Sequence, residues 1–169
     1  MNTEYGFSRE LAAALPRLRR FAHALSRDAA DADDLTQATV ERALRAEHRW
    51  TPGTNLIAWL FKIMRNIWID TARSRMRAAR HEAPPQAGEA AGYDPRPDTE
   101  TAIDAARAMR AMAQLPDEQR EVLALVLIEG FGYREAAELL DLPIGTVSSR
   151  LVRGRIALLA LLGGEQAND

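Results

Sequence analysis

The chain has 169 residues, a formal net charge of −2 and no cysteine, a length that allows one ordinary domain or two small ones. Without thiols, disulfides, zinc ribbons and cysteine nucleophiles are excluded, and His23, His48 and His81 share no ligand-like spacing, so no metal site or catalytic group is expected. No apolar run approaches a bilayer span and no signal-peptide core opens the sequence, so a cytoplasmic protein with no membrane insertion of its own is expected.

The small net charge conceals an uneven distribution. Residues 1–80 hold 14 Arg/Lys against 9 Asp/Glu, a net of +5. Residues 81–100 hold one Arg against five acids, and residues 101–169 hold 7 basic against 10 acidic groups. A nucleic-acid binder needs a local basic surface more than a basic total, so the overall acidity does not argue against one.

Apolar spacing near 3.6 residues, with no convincing alternation of period two, predicts helices at about residues 8–26, 32–46, 54–79, 100–114, 117–129, 133–140 and 143–162. The first three would form one small all-α domain over residues 1–80, and the last four a second over residues 101–169.

The second helix follows "DAADADD" and carries Leu35, Val40 and Leu44 on its apolar side. Asp33 or Asp34 suits its N-cap, and acids in a first turn complement the helix dipole. Its exposed acidic and amide face, Asp34, Gln37 and Glu41, suits a basic protein partner; nothing nearby completes a metal site. The third helix, "NLIAWLFKIMRNIWIDTARSRMRAAR", begins apolar and aromatic and turns basic at Arg73, Arg75, Arg77 and Arg80. Trp59, Ile63 and Ile67 recur at four-residue spacing and belong in a core. Trp50, in the preceding loop, is either core or an aromatic surface on which an unstacked base could lie beside arginines.

Residues 81–100, with four prolines and two glycines, read as a flexible acidic linker. Beyond it, "GYREAAELLDLPIGTVSSRLVRGR" has the form of a helix-turn-helix, whose second helix enters the DNA major groove. Steps of 100° per residue put Val147, Leu151 and Leu158 on one arc, with Gly154 beside them. Thr146, Ser149, Arg150 and Arg153 fall on another, where hydroxyls and guanidiniums suit phosphates and base edges.

Together these segments resemble the sigma-70 family, in its small two-domain extracytoplasmic-function (ECF) group. The stretch "LPDEQREVLALVLIEGFGYREAAELLDLPIGTVSSRLVRGR" is similar to the family's domain four, the reader of the −35 promoter element. "ADDLTQATVERAL" with "PGTNLIAWLFKIMRNIWIDTARSR" is similar to domain two, which binds polymerase and melts the −10 element. The resemblance implies a non-enzymatic initiation factor whose partners are core RNA polymerase, promoter DNA and an anti-sigma factor, with no cofactor. It assigns −35 contacts to Thr146, Ser148, Ser149, Arg150 and Arg153, and the −10 pocket to Trp50, Ile63 and Asn66, with Arg73 beside it. Polymerase docking falls to Asp34, Gln37 and Glu41.

The chain departs from the family pattern in three places. Ala38 and Val40 follow Gln37 where an acid and an aromatic are usual, Ser148 replaces a basic residue, and Gly154 replaces an alanine. The glycine costs roughly 1 kcal/mol in helix propensity. Two rivals are a helix-turn-helix regulator with a sensor domain and a sigma-mimicking interaction module. The tryptophan-rich helix opposes the first, and the retained Asn66, Arg150 and Arg153 oppose the second.

Overall fold

A computed structural model describes residues 3–80 and 100–166 of the protein, all but turns and loops of them helical. Three helices, α1 (Thr3–Leu25), α2 (Ala29–Arg45) and α3 (Leu56–Ala79), pack against one another as a first domain. The second domain contains α4 (Glu100–Ala113), α5 (Asp117–Leu123), α6 (Tyr133–Leu140) and α7 (Ile144–Gln166). The acidic linker lies outside the described residues except for its last position, where α4 begins.

In the first domain an apolar interior of Phe7, Leu18, Phe21, Leu25, Leu60, Phe61 and Met64 fixes the three helices. Phe21 stacks on Phe61 with ring centroids 4.2 Å apart. Helix α2 starts earlier than the run of aspartates suggests. Asp28 is its N-cap, and its carboxylate accepts the Asp31 backbone N–H at 2.8 Å, satisfying a donor that the first turn leaves unpaired. Asp33 and Asp34 therefore sit inside the helix instead of capping it. Asn55 caps α3 by accepting from the Ala58 N–H at 3.1 Å. Thr36 and Thr39 are buried on α2, their hydroxyls donating to the Ala32 and Leu35 carbonyls one turn back.

The fifth predicted helix is α-helical only to Leu123 and continues as a π-helical turn over Ala124–Ile128. The Glu129 N–H donates to the Ala124 carbonyl at 3.0 Å, five residues back, which widens the helix at its end. Gly130 follows at φ +75°, a conformation that a side chain would strain. This exit carries Glu129 and Phe131 against the first domain. Helix α6 ends at Asp141 in the left-handed region (φ 54°), with the Leu142 N–H donating back to the Ala137 carbonyl at 3.0 Å, as in a Schellman close. That turn aims α7 across α5 and α6.

The two domains share one apolar interior. Phe131 of the second lies 5.8 Å, ring to ring, from Phe61 of the first. Around this contact run ionic ones: Glu129 with Arg17 and Arg20, Glu121 with Arg65, and Asp117 with Arg27.

Candidate functional site

Helix α7 is the better-defined surface. Val147 and Leu151 are fully buried and anchor its N-terminal half on α5 and α6. Gly154 is buried too, and a Cβ there would stand 2.9 Å from Leu123 Cδ1 and 3.3 Å from Gln119 Cβ. Close crossing of α5 therefore explains a glycine that propensity alone disfavours. With Val147, Leu151 and Gly154 inside, the outward arc is Gly145, Ser149, Val152, Arg153 and Ile156. Thr146 and Ser148 lie half-buried on its two flanks.

This orientation turns the expected reading face by part of a turn. Ser149 and Arg153 project outward as the sequence suggests. Arg150 does not: its side chain is 18% exposed and pairs with Glu118 at 3.0 Å and Glu121 at 3.6 Å. Val152, missed by the sequence reading, stands at one edge of the outward arc, opposite Arg153 at the other, and is 54% exposed. The signal was present in the spacing. Weighting Gly154 equally with Val147 and Leu151 turns the outward direction away from Arg150 to lie between Ile156 and Ser149, which brings Val152 into the exposed arc.

In the first domain Asn66 and Arg73 are exposed on α3, and Ile63 is partly buried one turn before Asn66. Trp50 corrects the sequence expectation. It is 8% exposed and packs on Phe7 at 5.4 Å between ring centroids. A ring held in the core offers no face to an unstacked base, so its hydrophobic role won over its stacking one. Trp68 is engaged as well, with the Arg120 guanidinium 5.9 Å from its ring.

Asp34, Gln37 and Glu41 are all exposed along α2, separated by three and four residues and so on one face. Gln37 Nε2 donates to Glu41 Oε1 at 3.1 Å, and Arg45 lies 3.7 Å from the same carboxylate. Asp34 lies at the rim of a cleft of about 440 Å³ lined also by Arg27, Asp31, Trp68, Arg75 and Arg120. There Arg75 grips Asp31 through two hydrogen bonds of 2.5 and 2.6 Å. That direct bond holds the Asp31 carboxyl below the usual carboxylate range, against the opposing effect of partial burial.

Among the described residues no group of three or more His, Asp or Glu could hold a metal ion, and no helix is long and apolar enough to cross a membrane.

Comparison with known proteins places both domains in one family. The model of the sigma2 domain of PhyR matches residues 11–65, and that of sigma-70 region 4 matches residues 105–158. The ECF RNA polymerase sigma factor EcfG of Rhodopseudomonas palustris is 40% identical over 161 residues, covering 95% of this chain and 87% of its own. ECF sigma factor SigC of Mycobacterium tuberculosis is 36% identical over 148 residues, covering 83% and 75%. Among solved structures, the sigma factor RpoE in complex with the anti-sigma factor NepR from Bartonella quintana aligns with a TM-score of 0.77. It is 33% identical and covers 94% of this chain and 97% of that one, so the likeness spans both domains. Helix α7 in its helix-turn-helix, the acidic face of α2 and a match along nearly the whole length lead to one conclusion: the chain belongs to the sigma-70 family of RNA polymerase sigma factors, in the ECF group.

Proposed function

We propose that residues 1–80 dock on core RNA polymerase and hold the −10 element, while residues 101–169 read the −35 element. The supporting observation is the outward arc of α7, where Ser149, Val152 and Arg153 stand exposed while Val147 and Leu151 anchor the helix behind them. Arg153 supplies a forked donor for guanine or phosphate, and Ser148, Ser149 and Thr146 supply short hydroxyls. Val152 supplies an apolar surface for a thymine methyl group. Arg150 joins this set once its acidic partners release it.

The −10 element is held on α3 by Asn66, Ile63 and Arg73, and Trp50 shapes that surface from within the core. Unstacking a base costs a few kcal/mol, offset by contacts to α3 and by polymerase binding. Asp34, Gln37 and Glu41 form the docking face for polymerase. The factor works in the cytoplasm, performs no covalent chemistry of its own, and is restrained by an anti-sigma factor in a stress response. The likeness to a sigma factor solved with its anti-sigma factor supports that last element.

Run-off transcription with core polymerase tests the reading. Arg153→Ala should cost about 1–3 kcal/mol in promoter affinity. Replacing −35 thymine by deoxyuridine should weaken the wild type but not Val152→Ala. Unchanged −35-dependent transcription by Arg153→Ala would overturn the assignment of α7.

A further inference from the structure

Two arginines from different domains converge on the carboxylate of Glu121. Arg65, one residue before Asn66 on α3, donates from Nε to Glu121 Oε2 at 2.8 Å and from Nη2 to Oε1 at 3.4 Å. Arg150 of α7 approaches the same Oε1 to 3.6 Å. All three are covered: 18% of each arginine side chain and 4% of the Glu121 side chain are exposed.

We propose that Glu121 is a clasp between the two promoter-reading surfaces. With the domains docked, its carboxylate holds α3 through Arg65 and withholds Arg150 from DNA, so docked and DNA-engaged states exclude each other. The inference rests on the −35 role proposed for Arg150, and it adds a coupling between that role and the arrangement of the domains.

The physical argument is one of water exclusion. A carboxylate has about four acceptor sites, enough for a forked Arg65 and a share of Arg150 at once. Packed under α3, these ion pairs work in a low dielectric, where attraction is several times that in water. Once Arg65 leaves with the first domain, water reaches Glu121. The remaining pairing of Arg150 with Glu121 and the half-exposed Glu118 becomes an ordinary surface ion pair, a weak competitor for a phosphate. No step leaves a charge both buried and unpaired, so the exchange is reversible. Linkage then requires that −35 DNA favour parted domains as strongly as parting favours DNA.

The experiment uses the full chain, whose lack of native cysteine allows clean labelling. Glu10→Cys on α1 and Ala160→Cys on α7, both exposed, carry a fluorescence energy-transfer pair. Glu121→Gln and Arg65→Gln should each raise the ratio of parted to docked molecules about tenfold, the effect of losing one charge-assisted hydrogen bond. The affinity of the free protein for a −35 duplex should rise with it. Arg65→Gln leaves the second domain untouched, so the test stands even if substitution at Glu121 disturbs α5.

If both variants keep the wild-type transfer distribution, or part without binding the duplex more tightly, the clasp is overturned. Failure of the underlying reading shows separately: Arg150→Ala would then leave −35-dependent transcription by the polymerase-bound factor unchanged, whatever the transfer measurement gives.

Discussion

The two domains solve the problem of burying polar groups in opposite ways. In the first, the buried polar residues among those described are Ser26, Thr36 and Thr39, and the threonine hydroxyls are satisfied by carbonyls of their own helix. Nothing outside that domain is needed. In the second, the buried polar residues among those described are Arg120, Glu121 and Glu129. Arg120 is held by Asp117 and the Ala113 and Leu115 carbonyls of its own domain, whereas the two glutamates draw on the other domain. Arg17 and Arg20 close on Glu129 at 2.9 and 2.7 Å, and Arg65 closes on Glu121 at 2.8 Å, all three reaching from the first domain.

A buried threonine bonded to its own helix is satisfied in any arrangement of domains. A buried glutamate whose arginines sit on another domain is satisfied only while the two are docked, or when it is wet. The second domain therefore carries the condition for docking in its own interior. Such pairs add little net stability, because desolvation offsets most of the attraction, and this suits an interface meant to open.

The largest expected effect comes from breaking this dependence on one side. In the double variant Arg17→Met, Arg20→Met the Glu129 side chain, 0% exposed, loses its counter-charges. That should cost about 3 kcal/mol of combined docking and folding stability, read from urea unfolding. Glu129→Gln should cost clearly less, because Arg17 and Arg20 are 37% and 49% exposed and reach water on their own. Equal losses in the two variants would refute the asymmetry.

A smaller effect sharpens the comparison inside the second domain, where close packing and not charge sets the geometry. Gly154→Ala inserts a methyl group against Leu123, itself fully buried. Overpacking costs typically about 1–3 kcal/mol, while the gain in helix propensity returns roughly 1 kcal/mol. A net loss of about 1 kcal/mol in urea unfolding is expected, and a stabilised variant would show that α5 gives way freely.

The smallest effect belongs to the first domain, whose ion pairs are peripheral. Asp31 is lowered below its unfolded value by Arg75, so its contribution is complete above the unfolded carboxylate value of about 3.9. It is lost as pH falls through the lower folded value. With Arg75 63% exposed, the loss should stay under about 1 kcal/mol. Acid titration of wild type against Arg75→Gln checks both sign and size.

Much was determined by the sequence alone. The 3.6-residue spacing located all seven α-helices, because an amphipathic helix must alternate sides whatever it packs on. It started α1 five residues late, ran α5 through its π-helical turn, and missed the 3-10 turn Glu47–Arg49. The turn before α7 was legible from Asp141 and Leu142, though Pro143 lies just ahead of the helix and not in its first turn. So was the wet face of α2, because polar groups at Asp34, Gln37 and Glu41 share one side of the helix and burying them unpaired would be costly.

Tertiary structure alone decided what depended on a neighbour distant in sequence. Trp50 was either core or stacking surface until Phe7 covered it. Asp28 captured the cap of α2 because the chain leaves α1 there, ahead of the aspartates that looked equally suited. Arg150 faced DNA by helical angle and acid by packing, since α5 set Glu118 and Glu121 beside it. Periodicity measures angle about one axis. Which side of that axis is wet, and which charge waits across it, depends on helices 29 to 112 positions away in the chain. That is why the face of α7 and the ties between the domains emerged only from the fold.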